Sequence, residues 1–311
     1  MEVEAFDPAA PGENEIAVRG VLSLISPGTE LSLLHRTHPG FEIPGFSWAK
    51  YPFDAGYSLA GVAESDAPGV PTGTRVFART GHATRSNVHR EFVLPLPAGL
   101  SDRRAAFLWL AKIAWTAVLQ APPGPGERAV VIGLGLVGNL AAQCMRLAGA
   151  EVVATDRSPR RCELARACGI EVAEPGTFER FQDPLDLGRD GRPALVVDAV
   201  GSSETILFAL KLAAPRGRVV LLGAPRRPVT IDAYLYIMRK GLAWIGAHEM
   251  YGNDPDLPAR LGMLATALAD ERVVVDPLVR GMVPLSRAAE AYAQLDADPE
   301  GPPGLLLDLS R

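Results

Sequence analysis

A hydroxyl and a carboxylate stand next to each other at a corner of the chain, in the segment LISPGTELSLL that begins at Leu24. Thr29 and Glu30 follow Pro27 and Gly28, a pair that ends regular structure and turns the chain. Two such groups could move a proton to or from a substrate. They also suit the start of a helix, because threonine is a good N-cap and a carboxylate is favourable in the first helical turn. Position alone leaves both interpretations open.

Three glycines with the spacing G-x-G-x-x-G lie in VVIGLGLVGNLAAQ, between a strand pattern and a helix pattern. In that context Gly133 permits a tight turn, Gly135 lets the backbone approach a diphosphate, and Gly138 lets the helix pack closely on the strand. The free N–H groups and the dipole at the helix N-terminus then favour the anion. In the alternative interpretation the glycines only allow a strand and a helix to pack, and no ligand is needed.

An acidic residue, Asp156, ends the next strand pattern, VVATD. A carboxylate about 20 residues beyond the glycines typically binds the ribose hydroxyls of NAD. Its repulsion of a 2′-phosphate ~4 Å away would cost on the order of 4 kcal/mol at an effective dielectric constant near 20, which favours NAD over NADP. Arg157, Arg160 and Arg161 could instead neutralise a phosphate, which keeps NADP possible, or they could lie solvated on the following helix.

The elements that must position these residues alternate between strand and helix from Arg128 onward, through RAVVIGLG, EVVATD, ALVVDAVG, RVVLLGAP and GLAWIGAH. Near-continuous Val, Ile, Leu and Ala runs between helices are typical of a parallel sheet buried on both faces. We therefore predict an α/β fold with a doubly wound parallel sheet that binds its ligand at the strand ends. The predicted cofactor site comprises Gly133, Gly135, Leu136, Val137, Gly138, Asp156, Arg157, Arg161, Val200, Gly201, Leu222, Gly223, Ala224 and Ala247.

The first ~110 residues differ in character, because short apolar runs alternate there with Pro- and Gly-rich turns. They predict a second, mostly antiparallel β domain. The segment SDRRAAFLWLAKIAWTAVLQA begins with a candidate N-cap, Ser101, and predicts one or two buried helices. Turn-rich sequence returns from Glu249, and GPPGLLLDLS predicts a closing strand. The predicted domains are residues 1–112, residues 113–248, and residues 249–311 as a return to the first domain.

The composition favours a small molecule as the binding partner. Of the 311 residues 48% are hydrophobic, and the net charge of −5 arises from scattered charges, so neither nucleic acid nor a membrane surface is indicated as a partner. No segment has the ~20 uninterrupted apolar residues of a membrane span, and the acidic N-terminus lacks a signal-peptide pattern, so we expect a cytoplasmic protein. Cys144, Cys162 and Cys168 show no C-x-x-C spacing. We expect them to be core residues in a reducing compartment, without a disulfide framework or a structural zinc site.

Six segments in a fixed order, ISPGTEL, GYSLAGVAE, GTRVFA, GERAVVIGLGLVGNLAAQ, VVDAVG and GRVVLLG, make the whole chain resemble the medium-chain dehydrogenase/reductase superfamily. The resemblance implies a GroES-like β domain, a Rossmann domain and a homodimer. The subgroup with S-x-G-T-E and G-Y-S-x-A-G motifs is the most similar one. It includes sugar-oxidising dehydrogenases that form 3-keto glycosides, bacteriochlorophyllide dehydrogenases and the first half of two-part oxidoreductases.

The positions that carry catalytic zinc in other members of that superfamily depart from its pattern. By the resemblance they are occupied here by Pro27, by Tyr57 with Ser58, and by Trp109. Catalytic zinc takes about three protein ligands from Cys, His, Asp or Glu, and these side chains supply none of them. The four-cysteine lobe is absent from the sequence as well. We therefore expect a zinc-independent protein with no metal site.

The resemblance also assigns candidate catalytic residues. Thr29 falls where zinc members carry the hydroxyl that touches the substrate oxygen, and Ser32 lies one turn further along the proton relay. Glu30 falls where a carboxylate backs the histidine ligand, and Tyr57 takes that histidine's place. We expect Glu30 to accept a hydrogen bond from Tyr57 and thereby orient the phenol toward the substrate. The alternative is that Tyr57 only fills the space of the missing metal site.

Two further residues are candidates for proton transfer. Lys112 lies in LAKIAW, an apolar helix in which burial would lower a lysine pKa toward a useful range; alternatively its side chain snorkels to water. His248 follows the last strand pattern, in WIGAHEMYG, where an imidazole could transfer a proton or be structural. His82 is a weaker candidate for the pocket, and the remaining histidines are expected to lie on the surface or to be structural.

Three functions are consistent with these residues. The first is a zinc-free, NAD-dependent dehydrogenase that acts on a secondary alcohol of a polyhydroxylated or cyclic substrate, such as a sugar or a cyclitol. The second is a quinone or enoyl reductase, which passes hydride to an activated double bond and needs little acid–base help. The third is a nucleotide-binding protein without turnover, such as a redox sensor or a partner subunit.

Overall fold

A computed structural model of the chain describes residues 2–310, apart from positions 175, 184, 189 and 250–255. Two compact units are formed, one by Met1–Lys112 together with Asn253–Arg311 and the other by Ile113–Gly252. Among the residues described, no helix has both the length and the apolar character needed to cross a membrane.

The strands alternate with helices mainly in the second unit. The described strands are β1 (Glu15–Leu24), β2 (Leu59–Ala63), β3 (Arg75–Ala78), β4 (Arg85–His89), β5 (Val93–Pro95), β6 (Arg128–Ile132), β7 (Glu151–Thr155), β8 (Glu171–Val172), β9 (Leu195–Asp198), β10 (Arg218–Leu221), β11 (Ala243–Gly246), β12 (Val279–Pro284) and β13 (Gly304–Asp308). The α-helices are α1 (Pro27–Leu34), α2 (Asp102–Ala105), α3 (Leu108–Gln120), α4 (Leu136–Leu147), α5 (Pro159–Ala167), α6 (Ser203–Leu212), α7 (Leu257–Ala269) and α8 (Ala288–Ala297). A π-helical turn spans Tyr234–Met238, and short 3₁₀ turns span Pro39–Phe41, Arg90–Phe92, Glu179–Phe181, Asp276–Leu278 and Leu285–Arg287.

The sheet of the first unit is mostly antiparallel, as predicted. Its order is β12-β13-β1-β2-β3-β5, and β4 also pairs with β1. The predicted closing strand forms β13, which pairs antiparallel with β1 and parallel with β12. In β1 the buried positions alternate at Ile16, Val18 and Gly20, because successive side chains of a strand point to opposite faces. The core formed below this sheet includes Leu59 and Tyr292.

The sheet of the second unit is parallel throughout its described strands, in the order β8-β7-β6-β9-β10-β11. This is the strand order of a doubly wound dinucleotide-binding fold, with the switch point between β6 and β9. All four residues of β9 are buried, as expected for a central strand covered on both faces. The predicted fold class is confirmed.

Local signals in the sequence locate several helix ends correctly. Ser101 is the N-cap of α2, and its hydroxyl accepts a hydrogen bond from the backbone of Arg104. The apolar segment that follows forms two helices, α2 and α3. Ser158 caps α5 with proline at the first helical position, and Gly169 follows that helix with a φ of 72°. The three cysteines are buried, as predicted, and burial raises the pKa of the Cys144 thiol to about 12.

Two buried cationic side chains, Lys240 and Arg192, donate hydrogen bonds to the C-terminal end of α6 in the second unit. Lys240 Nζ donates to the carbonyls of Leu210 at 2.7 Å and Lys211 at 2.9 Å, and Arg192 donates to Lys211 at 2.6 Å. These carbonyls have no partner within a helix, and the helix dipole favours positive charge there. Burial, assisted by repulsion from Arg192, nevertheless lowers the pKa of Lys240 from 10.5 to about 8.

The depressed pKa of Lys240 predicts a stability that rises with pH. At pH values between the folded and the unfolded pKa of Lys240, the unfolded chain binds more protons than the folded chain does. The free energy of unfolding therefore increases as the pH rises through this range. Relative to Lys240→Met, the wild-type free energy of unfolding should rise by about 2 kcal/mol from about pH 7 to about pH 9.5, measured by urea denaturation. The exposed Lys50, changed in Lys50→Met, is the control that should show no such trend. Parallel curves for wild type and Lys240→Met would contradict the prediction.

Candidate functional site

The corner at Thr29 is the first turn of α1, but Thr29 is not its N-cap. The helix begins at Pro27, and Ser26 occupies the N-cap position with extended backbone angles. Proline is favoured at the first helical position because its fixed φ suits a helix and its missing N–H needs no partner. The N-cap interpretation of Thr29 is therefore wrong. Ser32 Oγ donates to the Thr29 carbonyl at 2.6 Å, so the hydroxyl expected next in the relay bonds to backbone.

Glu30 is a buried carboxylate, 3% exposed, and three groups from different parts of the chain donate to it or share a proton with it. Its Oε1 accepts the Ser26 N–H at 2.7 Å, and its Oε2 lies 3.0 Å from His82 Nε2. The Tyr292 hydroxyl from α8 also donates to Oε2. A buried carboxylate is stable only when such partners replace its hydration. Glu30 is thus held in place by backbone, imidazole and phenol together.

Tyr57 donates its hydroxyl proton to Ser26 Oγ at 2.5 Å. The expected bond from Tyr57 to Glu30 is therefore wrong, because Ser26 receives the Tyr57 proton and Tyr292 takes the phenol position on the carboxylate. Tyr57 is still connected to Glu30 through Ser26, whose backbone N–H and hydroxyl bond the two residues. We define the buried polar network as Ser23, Ser26, Glu30, Tyr57, His82 and Tyr292.

Electrostatics within the buried polar network keep Tyr292 protonated. Burial, followed by the negative charge of Glu30 and the hydrogen bond to it, raises the pKa of the Tyr292 phenol far above its usual range. Tyr292 is 3% exposed, whereas Tyr57 is half-buried. Tyr57, which bonds to Ser26 and not to the carboxylate, is therefore the more exposed of the two phenols in the network.

His82 completes the network from the segment after β3. Its ring is 5% exposed, and Nδ1 lies 2.8 Å from Ser23 Oγ. Gly56 makes this possible, because a Cβ there would lie 2.6 Å from the ring and its φ of 94° suits glycine. Sequence reasoning gave His82 little weight and missed Tyr292, which is 262 positions from Glu30. The local patterns we used carry no signal for a contact at that separation.

Lys112 lies against Trp109 in α3. The residue is 3% exposed and its Nζ is 4.9 Å from the centre of the Trp109 ring, a cation–π distance. Burial of this extent does not fit the snorkelling alternative. Phe77 stacks on the same indole with an interplanar angle of 6°, and Arg79 lies 4.8 Å from its centre. This aromatic and cationic group belongs to the first unit, as does the buried polar network.

The residues at the expected zinc positions do not fit a metal. Pro27 has no ligand atom, Ser58 donates its hydroxyl to the Ala106 carbonyl at 2.6 Å, and the Trp109 indole is occupied by ring packing. Among the residues that the structure describes, no group of three His, Cys, Asp or Glu side chains could hold a metal ion. Zinc needs such a group, so no zinc chemistry is derived for this site.

The glycines between β6 and α4 adopt the conformations that a diphosphate cradle requires. Gly133 has a φ of 90°, and a Cβ there would lie 2.3 Å from Val200. A Cβ on Gly138 would lie 1.9 Å from the Gly133 carbonyl, so helix and loop touch at this point. Gly135 is the N-cap of α4, and a Cβ there would meet no protein atom within 4 Å. The space above Gly135, with Leu136 and Val137 opening the helix, fits an anion.

Asp156 follows β7 and is tied to the glycine loop. Its side chain is 4% exposed, Oδ2 accepts the Leu134 N–H at 2.7 Å, and Oδ1 accepts the Ser158 N–H at 2.8 Å. Arg161 Nη1 lies 3.6 Å from Oδ2, while Arg157 is exposed. The carboxylate thus stabilises the loop, and Arg161 partly balances its charge.

The loops after β9 and β10 contact each other backbone to backbone. Cβ atoms on Gly201 and Gly223 would lie 2.6 Å and 2.4 Å from the opposing backbone. Asp198, fully buried at the end of β9, accepts the Val200 N–H at 3.0 Å and shapes this loop. Burial raises the pKa of the Asp198 carboxyl. Leu222 and Ala224 lie in the same loop after β10.

Parallel strands end at one edge of a sheet, so the carboxyl ends of β6, β7, β9, β10 and β11 share that edge. The predicted cofactor residues follow these strand ends, including Ala247 after β11. His248 comes next; it is exposed, and its Nδ1 lies 3.0 Å from the Glu249 carbonyl. His248 belongs to the second unit, whereas Thr29, Glu30, Tyr57 and Lys112 belong to the first.

Comparison with known proteins finds relatives that are named as dehydrogenases, reductases or acid synthases. The family model described as "Zinc-binding dehydrogenase" matches residues 137–265. The chain is 26% identical to 2-dehydro-3-deoxy-L-galactonate 5-dehydrogenase of Pseudoalteromonas atlantica over 66% of this chain and 58% of that protein. It is 32% identical to phthioceranic/hydroxyphthioceranic acid synthase of Mycobacterium tuberculosis over 72% of this chain and 10% of that protein. The chain therefore spans less than two thirds of the length of each of these two relatives.

Solved structures share the fold over nearly the full length. Galactitol-1-phosphate dehydrogenase from Escherichia coli superposes with a TM-score of 0.80 at 20% identity and covers 98% of this chain and 96% of that one. With the strand order and the glycine cradle described above, these comparisons support the resemblance of the chain to the medium-chain dehydrogenase/reductase superfamily. The family model starts at residue 137, beyond Pro27, Tyr57 and Trp109, so its description carries no information on zinc here.

Proposed function

We propose that this protein is a zinc-independent, NAD(P)-dependent oxidoreductase that transfers hydride between a nicotinamide and a secondary alcohol or ketone of a sugar-like or other cyclic substrate. The observation that carries the proposal is the glycine cradle, whose one open position, Gly135, faces space that no protein atom fills. The nicotinamide, when bound, supplies the hydride acceptor or donor. Gly133, Gly135 and Gly138, with the α4 N-terminus, would hold its diphosphate.

The chain's own contribution to the chemistry is proton transfer. Oxidation of an alcohol releases a hydroxyl proton, and a positioned acid–base group typically contributes 10²- to 10⁴-fold. Tyr57 is the proposed group: in oxidation its phenolate oxygen takes the substrate's hydroxyl proton and releases it to solvent, in reduction the phenol returns a proton to the ketone oxygen, and Ser26 Oγ orients the phenol. Thr29 is proposed to contact the substrate oxygen and Glu30 to hold Ser26 in place. Lys112 and His248 remain secondary candidates for the same proton transfer.

NAD is the proposed physiological form of the cofactor. Asp156 supports it, since a carboxylate at the end of the second Rossmann strand suits ribose hydroxyls and repels a 2′-phosphate. Its 3.6 Å pair with Arg161 reduces that repulsion, so slower turnover with NADP is compatible with the proposal. A reducing, cytoplasmic location is also proposed, on the basis of three cysteines that are all buried.

The experiment that tests the function measures reduction of NAD⁺ and NADP⁺ with a panel of sugars, cyclitols and secondary alcohols, with and without EDTA. EDTA-insensitive turnover of at least one polyhydroxylated substrate is expected. Activity that EDTA abolishes and zinc restores would overturn the zinc-free part. A protein that binds NAD⁺ but turns over no substrate in either direction would instead be a nucleotide-binding protein without activity.

A quinone or enoyl reductase is the second candidate. Hydride transfer to an activated double bond needs little acid–base help, so this activity would not depend on the Tyr57 hydroxyl. The same assay includes quinones and enones with NADH and NADPH. Reduction of these alone, with no alcohol oxidised, would select this candidate over the first.

A homodimer through β11 is part of the proposal. This strand ends the parallel sheet and exposes Trp244 to 37%, and the preceding turn exposes Tyr234 and Met238 to 64% and 73%. An edge strand with apolar neighbours can pair with its own copy about a two-fold axis. Sedimentation velocity should give a dimer for wild type and a monomer for Trp244→Glu. Leu119→Glu, an equally exposed apolar site of the same unit, should remain dimeric; a monomeric wild type would contradict the proposal.

A further inference from the structure

Six of the twenty Phe, Trp and Tyr residues fall within positions 38–57, between α1 and β2. In the structure five of these six rings contact another ring of the segment, and three of them face solvent. Phe46, Trp48 and Tyr51 are 42%, 45% and 53% exposed, and Ile43 beside them is 51% exposed. We name residues 38–53 the aromatic platform. Contiguous exposed apolar surface of this kind marks an interaction site more often than a structural surface.

The aromatic platform is ordered by its own contacts. The His38 ring stacks on Phe46 at 6.2 Å and meets Trp48 edge-on at 5.1 Å, and Trp48 meets Phe53 edge-on at 5.4 Å. His38 Nδ1 also accepts the Gly40 N–H at 3.0 Å. A Cβ on Gly40 would lie 2.5 Å from the Phe46 ring, so the segment folds tightly around this glycine. Exposed rings held in this way lose little conformational freedom on binding.

The platform is attached to the candidate catalytic residues at both ends. At its start it follows α1, which carries Thr29 and Glu30, and the Tyr51 hydroxyl donates to the carbonyls of Leu33 and Leu34 at the end of that helix. At its end it leads within four residues to Tyr57. The platform and the buried polar network therefore lie in the same unit and share α1.

We propose that the aromatic platform binds an apolar ring that the substrate carries next to its reacting, hydroxylated part. The inference rests on the proposed function, because it names the substrate class of the same site. Flat aromatic faces complement the apolar faces of a second ring, whereas a small free polyol would leave Phe46 and Trp48 in water. The substrate is accordingly a hydroxylated ring joined to an apolar one, rather than a simple sugar.

The test compares two ligands that share a sugar and differ in the ring. Phenyl β-D-glucopyranoside and methyl β-D-glucopyranoside are titrated into the full chain by calorimetry, without cofactor, so that the result does not depend on turnover. Wild type is expected to bind the phenyl compound about ten-fold more tightly, the effect of one stacked ring. Trp48→Ala and Phe46→Ala should each remove most of that preference, and Trp48→Phe should restore part of it.

The control is Phe6→Ala, since Phe6 is 57% exposed and lies in the N-terminal segment, outside the platform; it should keep the wild-type preference. Equal affinities for the two glucosides, or no binding of either, would overturn the proposal. So would a change of oligomeric state in Trp48→Ala, or wild-type binding to phosphatidylcholine vesicles that Trp48→Ala loses, because these results would assign the platform to a second copy or to lipid. A preference for the phenyl compound without any dehydrogenase activity would contradict the proposed function. It would still support the aromatic platform as a binding site for an apolar ring.

Discussion

Replacing Tyr57 by phenylalanine is expected to lower kcat for alcohol oxidation by about 10²- to 10⁴-fold, the usual effect of removing a general acid–base group. Phenylalanine keeps the ring and removes only the hydroxyl that donates to Ser26, so the affinity for NAD⁺ should not change. The measurement is steady-state kinetics on the substrate found in the screen, with the dissociation constant for NAD⁺ determined separately. A large loss in kcat with an unchanged Kd assigns the hydroxyl to the chemical step.

Two companion variants separate catalysis from packing. Ser26→Ala removes the acceptor of the Tyr57 proton and should give a smaller loss of kcat than Tyr57→Phe, together with a shifted pH profile. Tyr236→Phe removes a hydroxyl from a half-buried tyrosine of the second unit and should leave kcat unchanged. If Tyr57→Phe retains nearly full activity, Tyr57 only fills the space of the missing metal site, and Lys112 or His248 becomes the proton-transfer candidate.

Gly135→Ala is expected to weaken NAD⁺ binding by roughly 10- to 100-fold, which corresponds to the loss of one hydrogen bond to a charged group. The backbone at Gly135 has a φ of −62°, which alanine adopts without strain, and its Cβ would meet no protein atom within 4 Å. The methyl group would therefore occupy only the space proposed for the diphosphate. Calorimetric titration with NAD⁺ measures the affinity, and thermal unfolding without cofactor should give an unchanged Tm.

Other glycines provide the controls for this prediction. Gly262→Ala, in α7, also adds a methyl group that meets nothing within 4 Å and should leave NAD⁺ binding intact. Gly138→Ala would place a Cβ 1.9 Å from the Gly133 carbonyl and should lower stability as well as affinity. Equal NAD⁺ affinities for Gly135→Ala and wild type would show that no diphosphate lies over α4, and the cofactor assignment would fail.

Most of the second unit could be predicted from local sequence. The strand and helix patterns after Arg128, the spacing of the three glycines and Asp156 all act within a few turns of chain, and the parallel sheet follows from them. Gly133 shows why this works, because its positive φ and its contact with Val200 leave room for glycine only. What was not foreseen there is Asp198, whose buried carboxylate shapes a loop through backbone N–H groups.

The first unit was predicted less well at the level of individual contacts. The sequence indicated a polar cluster at Thr29, Glu30 and Tyr57, and two of these three belong to the buried polar network. It misplaced the helix N-cap and joined Tyr57 to the wrong acceptor. Both errors concern Ser26. Its place before Pro27 is the same Ser-Pro signal that locates the start of α5, so the cap could have been read from local sequence, whereas the bond from Tyr57 to Ser26 joins residues 31 positions apart.

The sequence by itself determined the fold class and the glycine cradle, because each depends on residue types at fixed short spacing. Only the tertiary structure decided which groups surround Glu30. Tyr292, His82 and Ser23 reach that site from α8, from the segment after β3 and from β1, which are brought together by sheet pairing and core packing. Burial of a carboxylate requires such partners, and where they come from is a property of the whole fold.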